Sequence, residues 1–468
     1  GVQTCALPIF FDDNRITIDG STALTCSDDV VQRFRSYGWH VAELGDIADD
    51  CDALEAAIRA AMAVTDRPSL LVLQSHIGNP SPDLTDKHEA HGNPFTAEHV
   101  TRTKQVMGIP DEPFWAPADL VAAYRAHCAD RGVAERAAWQ TRFDGAAVQP
   151  DVWNACWSGG GVDGWTTALP VFEQGEKIAT RVAIEKAFNA SLDGVPGLVA
   201  GAADLTGNTG TRLAGQQAAT PTSPDGRQVY YGIREHAMGS LMVGMALHGG
   251  VLPAGGTFFV FLDYMRPPVR LAALSSAKVV FVFTHDSVGV GEDGPTHQPI
   301  EHVASLRVIP DLQVIRPADA NETVAAWRAA VEHHGPTALV LTRQNVTVCT
   351  DGSAVERGAG RKLHGGDQVR TVELRHQPGR RRHQPVAGQH QQAGVDRQHD
   401  AAEDERRALR PLRLRPQSTA GAAVGHVHRL VEKRLGSLMG AILGLMFGAG
   451  AVLAMLAVAG GAGRQQRS

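Results

Sequence analysis

The sequence is poor in cysteine, in aromatic residues and in surplus positive charge. Its six cysteines are scattered and form no C-x-x-C pair, which argues against a zinc ribbon or a disulfide scaffold and is typical of a reducing cytoplasm. The formal net charge is −6, so no excess of Lys and Arg is available to bind a nucleic-acid backbone. We therefore expect a cytoplasmic protein that binds no nucleic acid.

Aromatic residues make up only 6% of the chain, and none occurs between Trp327 and Phe447. Residues 351–434 are instead rich in Arg, Gln, His, Gly and Ala, and residues 360–430 show neither helical nor strand periodicity. Such a segment cannot bury enough apolar surface to offset the entropy of ordering it. It indicates either a disordered tail or, as we prefer, a GC-rich gene read in a shifted frame.

Both ends of the chain differ from its middle. Residues 435–463 form an apolar run without a charge that is long enough to cross a bilayer, so they are a candidate transmembrane helix. Membrane association depends on that run being genuine. Residues 1–9 (GVQTCALPI) resemble a translated sequencing adapter, and we set them apart as a non-native leader.

The part between these segments, residues 10–350, alternates short apolar runs with amphipathic stretches. Candidate strands are residues 16–18, 70–73, 198–200, 279–283, 314–315 and 338–341. Candidate helices are residues 52–62, 179–190, 235–247 and 321–331. Strands that are apolar on both faces predict parallel sheets covered by helices. We therefore predict an α/β protein with two parallel-sheet domains, joined by a Pro- and Gly-containing connection over residues 106–164.

Polar clusters follow several of the predicted strands. They are Gln74-Ser75-His76, Asp204-Leu205-Thr206, Thr284-His285-Asp286 and Thr342-Arg343-Gln344. Open α/β sheets bind ligands at the carboxyl ends of their strands. The clusters therefore predict one composite site.

The densest of these clusters extends through residues 284–299, which read THDSVGVGEDGPTHQP. Its glycines allow close backbone approach, and His285 and His297 can bind phosphate or transfer protons near neutral pH. By composition alone, a polar surface loop with capping Asp residues is the alternative. A zinc site at His88 and His91 (H-x-x-H) lacks a third ligand in any supporting pattern.

Residues 284–299 resemble the signature loop of the transketolases, a family of thiamine-diphosphate enzymes. Further segments resemble transketolase segments in the family's order, namely FDDNRITIDG, YGWH, AHGNPF, LPVFEQGEKIATR, GAADLTG, YYGIREHAMG, GGTFFVFLDY and LVLTRQN. The resemblance covers about residues 10–350. It implies that residues 10–105 are the C-terminal part of a pyrophosphate-binding domain, the first domain being incomplete, and that residues 165–350 are a pyrimidine-binding domain.

The resemblance also implies roles for individual residues. Those matching the family's contacts to thiamine diphosphate are Glu235, Asp204, Phe258, Phe261, Tyr264 and Ile77. Those matching its sugar-phosphate contacts are Arg181, Asn208, His285, Asp293 and Arg343, with Asn208 standing where the family usually has serine. The residues implied in proton transfer are Glu235, His297 and His91, and those implied at the metal (Mg²⁺, or Ca²⁺ or Mn²⁺) are Asn14 and Ile16.

Several of these assignments depend on the resemblance alone. Aromatic residues spaced three apart, as at Phe258, Phe261 and Tyr264, are equally typical of a helix stripe packed in a core. A glutamate such as Glu235 also suits an exposed helix N-terminus, and Asn14 suits an ordinary turn. An isolated arginine is usually a surface residue.

The implied activity is transfer of a two-carbon ketol unit from a ketose phosphate to an aldose phosphate by a homodimer. Related enzymes, dihydroxyacetone synthase and deoxyxylulose-phosphate synthase, are alternatives within the superfamily. Another alternative is an inactive fragment or chimera, because the family's upstream Gly-Asp-Gly metal segment has no counterpart here. On that ground we expect weak binding of the cofactor by this chain.

Overall fold

Two parallel sheets organise the protein in the computed structural model, which describes residues 8–356. The strands are β1 (Ile9–Asp13), β2 (Ile16–Thr17), β3 (Gly20–Ser21), β4 (His40–Gly45), β5 (Ser69–Gln74), β6 (Lys177–Ala179), β7 (Leu198–Ala202), β8 (Gln228–Tyr230), β9 (Leu252–Phe258), β10 (Val280–Thr284), β11 (Gln313–Ile315), β12 (Thr337–Val340) and β13 (Asn345–Thr347). The helices are α1 (Val30–Ser36), α2 (Cys51–Met62), α3 (Glu89–Gly92), α4 (Ala97–Met107), α5 (Ala118–Gly145), α6 (Pro150–Ser158), α7 (Thr180–Ala190), α8 (Thr206–Thr209), α9 (Glu235–His248), α10 (Leu262–Leu274), α11 (His302–Arg307), α12 (Ala320–Glu332) and α13 (Ser353–Glu356).

The first sheet is small, with three parallel strands in the order β1-β5-β4. Leu70 and Leu71 of the central strand are buried, as expected for a strand covered on both faces. Phe34 of α1 packs edge-on against Trp39, with ring centroids 4.9 Å apart. Strand β1 begins at Ile9, so this residue belongs to the sheet, although the sequence led us to place it in the leader.

The second sheet has six strands in the order β11-β12-β10-β9-β7-β8, and every neighbouring pair is parallel. In β10, Phe281 and Phe283 pack into a core shared with α9, α10 and α11. Val280 and Val282 pack into a separate core with α7 and α12. Because successive side chains of a strand point to opposite faces, this alternation places helices on both sides. The predicted doubly covered parallel sheet is confirmed.

The connections of the second sheet reverse direction between β7 and β9. From β7 the chain crosses to β8 on one side, whereas β9, β10 and the later strands lie on the other side. A crevice forms at the carboxyl edge where such a reversal occurs, and ligands of open α/β sheets bind there. Asp204 follows β7 and Phe258 ends β9, so both lie beside this crevice.

The predicted connection between the domains is mostly helical. It contains α5, which is 28 residues long and has no buried residue, and the shorter α6. Lys278 joins the end of α6 to the second unit, because its Nζ donates to the carbonyls of Ser158 (3.2 Å) and Val331 (2.7 Å). Burial lowers the pKa of Lys278 to about 8.

The second unit continues past the predicted boundary at residue 350. The buried carboxylate of Asp319 accepts hydrogen bonds from the backbone N–H groups of Cys349 (2.8 Å) and Thr350 (2.7 Å), and Val355 of α13 is buried. The rest of the predicted tail, including residues 435–463, lies outside the described residues, as do residues 1–7. No helix within residues 8–356 has the length and apolarity needed to cross a bilayer.

Candidate active site

Loops from four neighbouring strands meet at the carboxyl edge of the second sheet. Asp204, Phe258, His285 and Arg343 follow or end β7, β9, β10 and β12, respectively. Three of the four predicted polar clusters therefore share one edge. The fourth, Gln74-Ser75-His76, follows β5 and belongs to the first sheet, so a composite site that includes all four clusters stays a prediction.

His285 lies at the centre of this edge. Its side chain is stacked on the ring of Phe258, with centroids 3.7 Å apart and planes at 29°, and its Nδ1 lies 3.0 Å from the hydroxyl of Thr284. The residue is only 4% exposed. Burial, followed by the positive charges of Arg181 and Arg343, lowers its pKa to about 4. The imidazole is therefore neutral at neutral pH.

Two arginines from different elements approach His285. Arg181, in the first turn of α7, donates from Nη1 to the carbonyls of Gly207 (3.4 Å) and Asn208 (3.3 Å). Its Nε is buried without a hydrogen-bond partner among the described residues. Burial and the nearby charge of Arg343 both lower the pKa of Arg181. An anion placed here would meet two guanidinium groups and gain an unused N–H donor.

The other members of the predicted sugar-phosphate set surround this position. Arg343 donates from Nη2 to Glu292 Oε1 (3.3 Å), which ties it to the loop of residues 284–299. Asp293, in the same loop, is exposed and close enough for its charge to raise the pKa of His285. Asn208 is exposed, and its backbone carbonyl accepts from Arg181. The structure thus gathers this set at one edge.

An aromatic surface continues from His285 along the end of β9. Phe258 and Phe261 are nearly parallel, at 11° and 5.9 Å, and Tyr264 lies 5.9 Å beyond Phe261. The ring of His297 meets Phe258 and Phe261 edge-on, at 6.2 and 5.6 Å. Phe258 and Phe261 are half-buried and Tyr264 is 64% exposed, whereas the neighbouring Phe259 fills the core. The spacing of three therefore does not mark a buried helix stripe here.

Glu235 is the first residue of α9 and is 9% exposed. It follows β8, so it lies at the same edge as the aromatic surface. Asp204 is exposed and has a left-handed backbone with φ of 61°, like His285. A buried carboxyl beside an aromatic surface can hydrogen-bond a nitrogen heterocycle that stacks there.

The remaining predicted residues lie on the first unit. The amide oxygen of Asn14 accepts from the backbone N–H of Ile16 (3.0 Å), and the carbonyl of Ile77 accepts from the N–H of Asp86 (2.9 Å). His91 is exposed in α3. No hydrogen bond or ring contact described for these residues reaches the second unit. Within residues 8–356 no cluster of three His, Cys, Asp or Glu residues could hold a metal ion.

Sequence reasoning missed one charged group beside the site. Arg316 directly follows β11 and pairs with Asp286, which follows His285. A basic residue immediately after a predicted strand was the available signal, because that position lies at the ligand-binding edge. His76, which belongs to the predicted cluster on the first sheet, is hydrogen-bonded to Asp86 (2.9 Å) and Asp46 (3.3 Å), and these bonds raise its pKa.

Comparison with known proteins places both units in one family. The profile described as "Transketolase, thiamine diphosphate binding domain" matches residues 2–151, and that of "Transketolase, pyrimidine binding domain" matches residues 176–348. The transketolase of Geobacillus stearothermophilus is 43% identical over 346 residues, covering 73% of this chain and 52% of its own length. That of Mycobacterium bovis is 42% identical over 372 residues, covering 75% and 53%.

Solved structures give the same result. Transketolase from Leishmania mexicana superposes with a TM-score of 0.71 at 37% identity, covering 75% of this chain and 54% of the other. A Pichia stipitis transketolase in complex with sedoheptulose 7-phosphate gives 0.70 at 37% identity, covering 77% and 55%. The chain spans about half the length of the curated relatives it matches.

Proposed function

Because the chain belongs to the transketolase family, we propose that it transfers a two-carbon ketol unit from a ketose phosphate to an aldose phosphate. The relatives support the class of reaction. The sugar phosphate bound to the Pichia stipitis enzyme supports the class of substrate. The five cysteines of the described part are free, which suits a reducing cytoplasm.

The convergence of Arg181, Arg343 and His285 carries this proposal. Burial and the two guanidinium charges disfavour a further positive charge on His285, so the edge is electrostatically prepared for an anion. A phosphate group between these residues would offset the repulsion and accept from the unpartnered Nε of Arg181. Asp293 would accept a hydrogen bond from a sugar hydroxyl, and Asn208 would border the phosphate.

The residues at the edge also fit thiamine diphosphate. When bound, this cofactor supplies a carbon nucleophile and an electron sink for breaking a carbon–carbon bond beside a ketone. The half-buried faces of Phe258 and Phe261 suit a flat pyrimidine ring, with Tyr264 at the margin. The buried carboxyl of Glu235 would hold a proton at a ring nitrogen, and Asp204 would contact the cofactor beside the crevice.

The first unit would bind the diphosphate end of the cofactor. The amide oxygen of Asn14 keeps a lone pair beyond its bond to Ile16, so it and the carbonyl of Ile16 are suitable ligands for Mg²⁺, Ca²⁺ or Mn²⁺. Ile77 would pack against the cofactor. His91 and His297 would move protons on and off the substrate oxygens.

We further propose a homodimer as the active form. The residues assigned to the first unit have no described contact with the aromatic surface of the second unit in the same chain. Two copies would bring the first unit of one subunit to the second unit of its partner. Residues 10–105 and 165–350 would then be the two cofactor-binding parts, as predicted.

Ketol transfer from xylulose 5-phosphate to ribose 5-phosphate, with thiamine diphosphate and Mg²⁺, tests the proposal. Replacing Arg181 by Met removes a charged hydrogen bond to phosphate, so we expect a donor KM about 10–100-fold higher. Arg59→Met, at an exposed arginine paired with Glu55, is the matched control and should leave the donor KM unchanged. The proposed ketol transfer between sugar phosphates would be contradicted if the parent chain performs no transfer, or if it transfers only with formaldehyde or pyruvate as co-substrate. Calorimetric titration with the cofactor checks the expected weak binding separately.

A further inference from the structure

Arg316 and Asp286 form an ion pair at the carboxyl edge of the second sheet. Arg316 directly follows β11 and Asp286 lies just beyond β10, while β12 runs between these strands. The guanidinium donates from Nε (3.0 Å) and Nη2 (2.8 Å) to Asp286 Oδ2. The carboxylate is fully buried, whereas the side chain of Arg316 is 26% exposed. The pair therefore links two strands across the one that carries Arg343.

This pair anchors the beginning of the loop of residues 284–299. The second oxygen of Asp286 accepts from the hydroxyl of Ser287 (3.2 Å), and Ser287 Oγ in turn accepts from the N–H of Gly289 (3.3 Å). The two guanidinium N–H donors converge on one oxygen, Oδ2, and the Ser287 hydroxyl holds the other, so these bonds together fix the position and orientation of the carboxylate. His285 immediately precedes Asp286 and has φ of 61°, so its imidazole direction depends on where this carboxylate is held.

The ion pair of Arg316 and Asp286 also affects the electrostatic environment of His285. Burial and the charges of Arg181 and Arg343 lower the pKa of His285, while the carboxylates of Asp293 and Asp286 raise it. Four charged groups therefore act on the same ring. A buried negative charge there would repel a phosphate dianion. The adjacent guanidinium of Arg316 offsets that charge, since opposite charges in contact largely cancel at a distance.

We propose that Arg316 is a positioning residue for phosphorylated substrates, which orients His285 through Asp286 and neutralises the carboxylate so that the edge accepts a phosphate group. This inference rests on the proposed function. It differs from a purely structural role, in which loss of Arg316 would weaken the fold and affect every substrate alike.

Steady-state kinetics with two ketol donors separates these roles. For Arg316→Met we expect KM for xylulose 5-phosphate to rise about 10-fold, whereas KM for erythrulose, which has no phosphate, changes less than about 2-fold. Equal changes in both KM values, or no change in either, would overturn the proposal. Arg59→Met is again the control for loss of an exposed arginine.

Removing both charges tests the electrostatic part. In Arg316→Met with Asp286→Asn the buried charge is gone, so KM for the phosphorylated donor should return to within about 3-fold of the parent value. Arg316→Lys keeps the charge but loses the fork and should fall between the parent and Arg316→Met. If Arg316→Met does not fold, the double variant and Arg316→Lys are compared with the parent. If KM for the phosphorylated donor in the double variant is as high as in the more impaired of the two single variants, the proposal is refuted.

A binding measurement distinguishes failure of this inference from failure of the proposed function. Calorimetric titration of the full chain with inorganic phosphate needs neither cofactor nor turnover. If the parent performs no ketol transfer, the proposed function fails. Phosphate binding that weakens about 10-fold in Arg316→Met and recovers in the double variant would still support the role of Arg316, whereas unchanged binding would refute it.

Discussion

His285 makes the stability of this protein dependent on pH in a defined window. Its pKa of about 4 in the folded chain lies below the ordinary histidine value of about 6.5. Folding therefore disfavours the protonated imidazole. The stabilising contribution is complete above pH 6.5 and is lost as the pH falls from 6.5 towards 4. Linkage arithmetic puts the loss between pH 7 and pH 5 at about 2 kcal/mol.

The variant His285→Asn isolates this contribution, because asparagine does not titrate and tolerates the positive φ of 61° at this position. Urea unfolding of the full chain at pH 7 and pH 5 should show an additional loss of about 2 kcal/mol in the parent compared with the variant. Nuclear magnetic resonance gives the pKa directly, from the imidazole signal that the variant lacks.

Two results would refute this reasoning. One is an identical pH dependence of stability in the parent and in His285→Asn. The other is a His285 signal that titrates near pH 6.5, which would mean that burial and the two neighbouring arginines do not act on the ring as the structure indicates. Addition of inorganic phosphate should raise the pKa, since a dianion favours the protonated ring.

Two further predictions concern the packing of the second sheet. A Cβ added at Gly201 in β7 would collide with the Val229 carbonyl of β8 and lie 2.9 Å from the ring of Tyr231, so Gly201→Ala should cost about 1–3 kcal/mol in urea unfolding. The control Gly132→Ala, in the open middle of α5, should be neutral or slightly stabilising, and equal effects at both positions would contradict the argument. Trp327→Phe removes the buried bond from Nε1 to Ser191 Oγ (3.0 Å) and part of a packed ring, so unfolding should become easier by about 1–3 kcal/mol; an unchanged urea midpoint would contradict it.

The hydrophobic pattern of the sequence predicted strands whose large apolar side chains fill the cores. Strand β10, with Phe281 and Phe283 towards one core and Val280 and Val282 towards the other, was predicted because residues 279–283 are all apolar. Its neighbour β9 was missed, although it is central in the same sheet. It contains proline and glycine, which ordinarily weaken a strand. Glycine at position 255 lets the Met242 side chain of α9 lie directly on the strand, where an added Cβ would collide with its sulfur.

Only the part of the candidate site that follows local sequence patterns could be predicted. Residues close in sequence, such as His285 and His297, or at matching strand ends, such as Arg343, could be grouped by pattern. The pair of Arg316 with Asp286 could not, because a contact across an intervening strand depends on strand order, and nothing local in the sequence encodes that order. The helix α5 was missed because its apolar residues follow no single face and none becomes buried.

Asp204 and His285 share an unusual backbone, each with φ of 61° just past the end of a parallel strand. Glycine would adopt this conformation without the cost of about 1–2 kcal/mol that an L-residue carries. Relief of this backbone strain favours glycine at the exposed Asp204, whereas glycine at His285 would also lose the buried stacking on Phe258. A search for thermostable variants of this chain should therefore leave Asp204 out of the library, because a stabilising glycine there would delete a carboxylate from the proposed site.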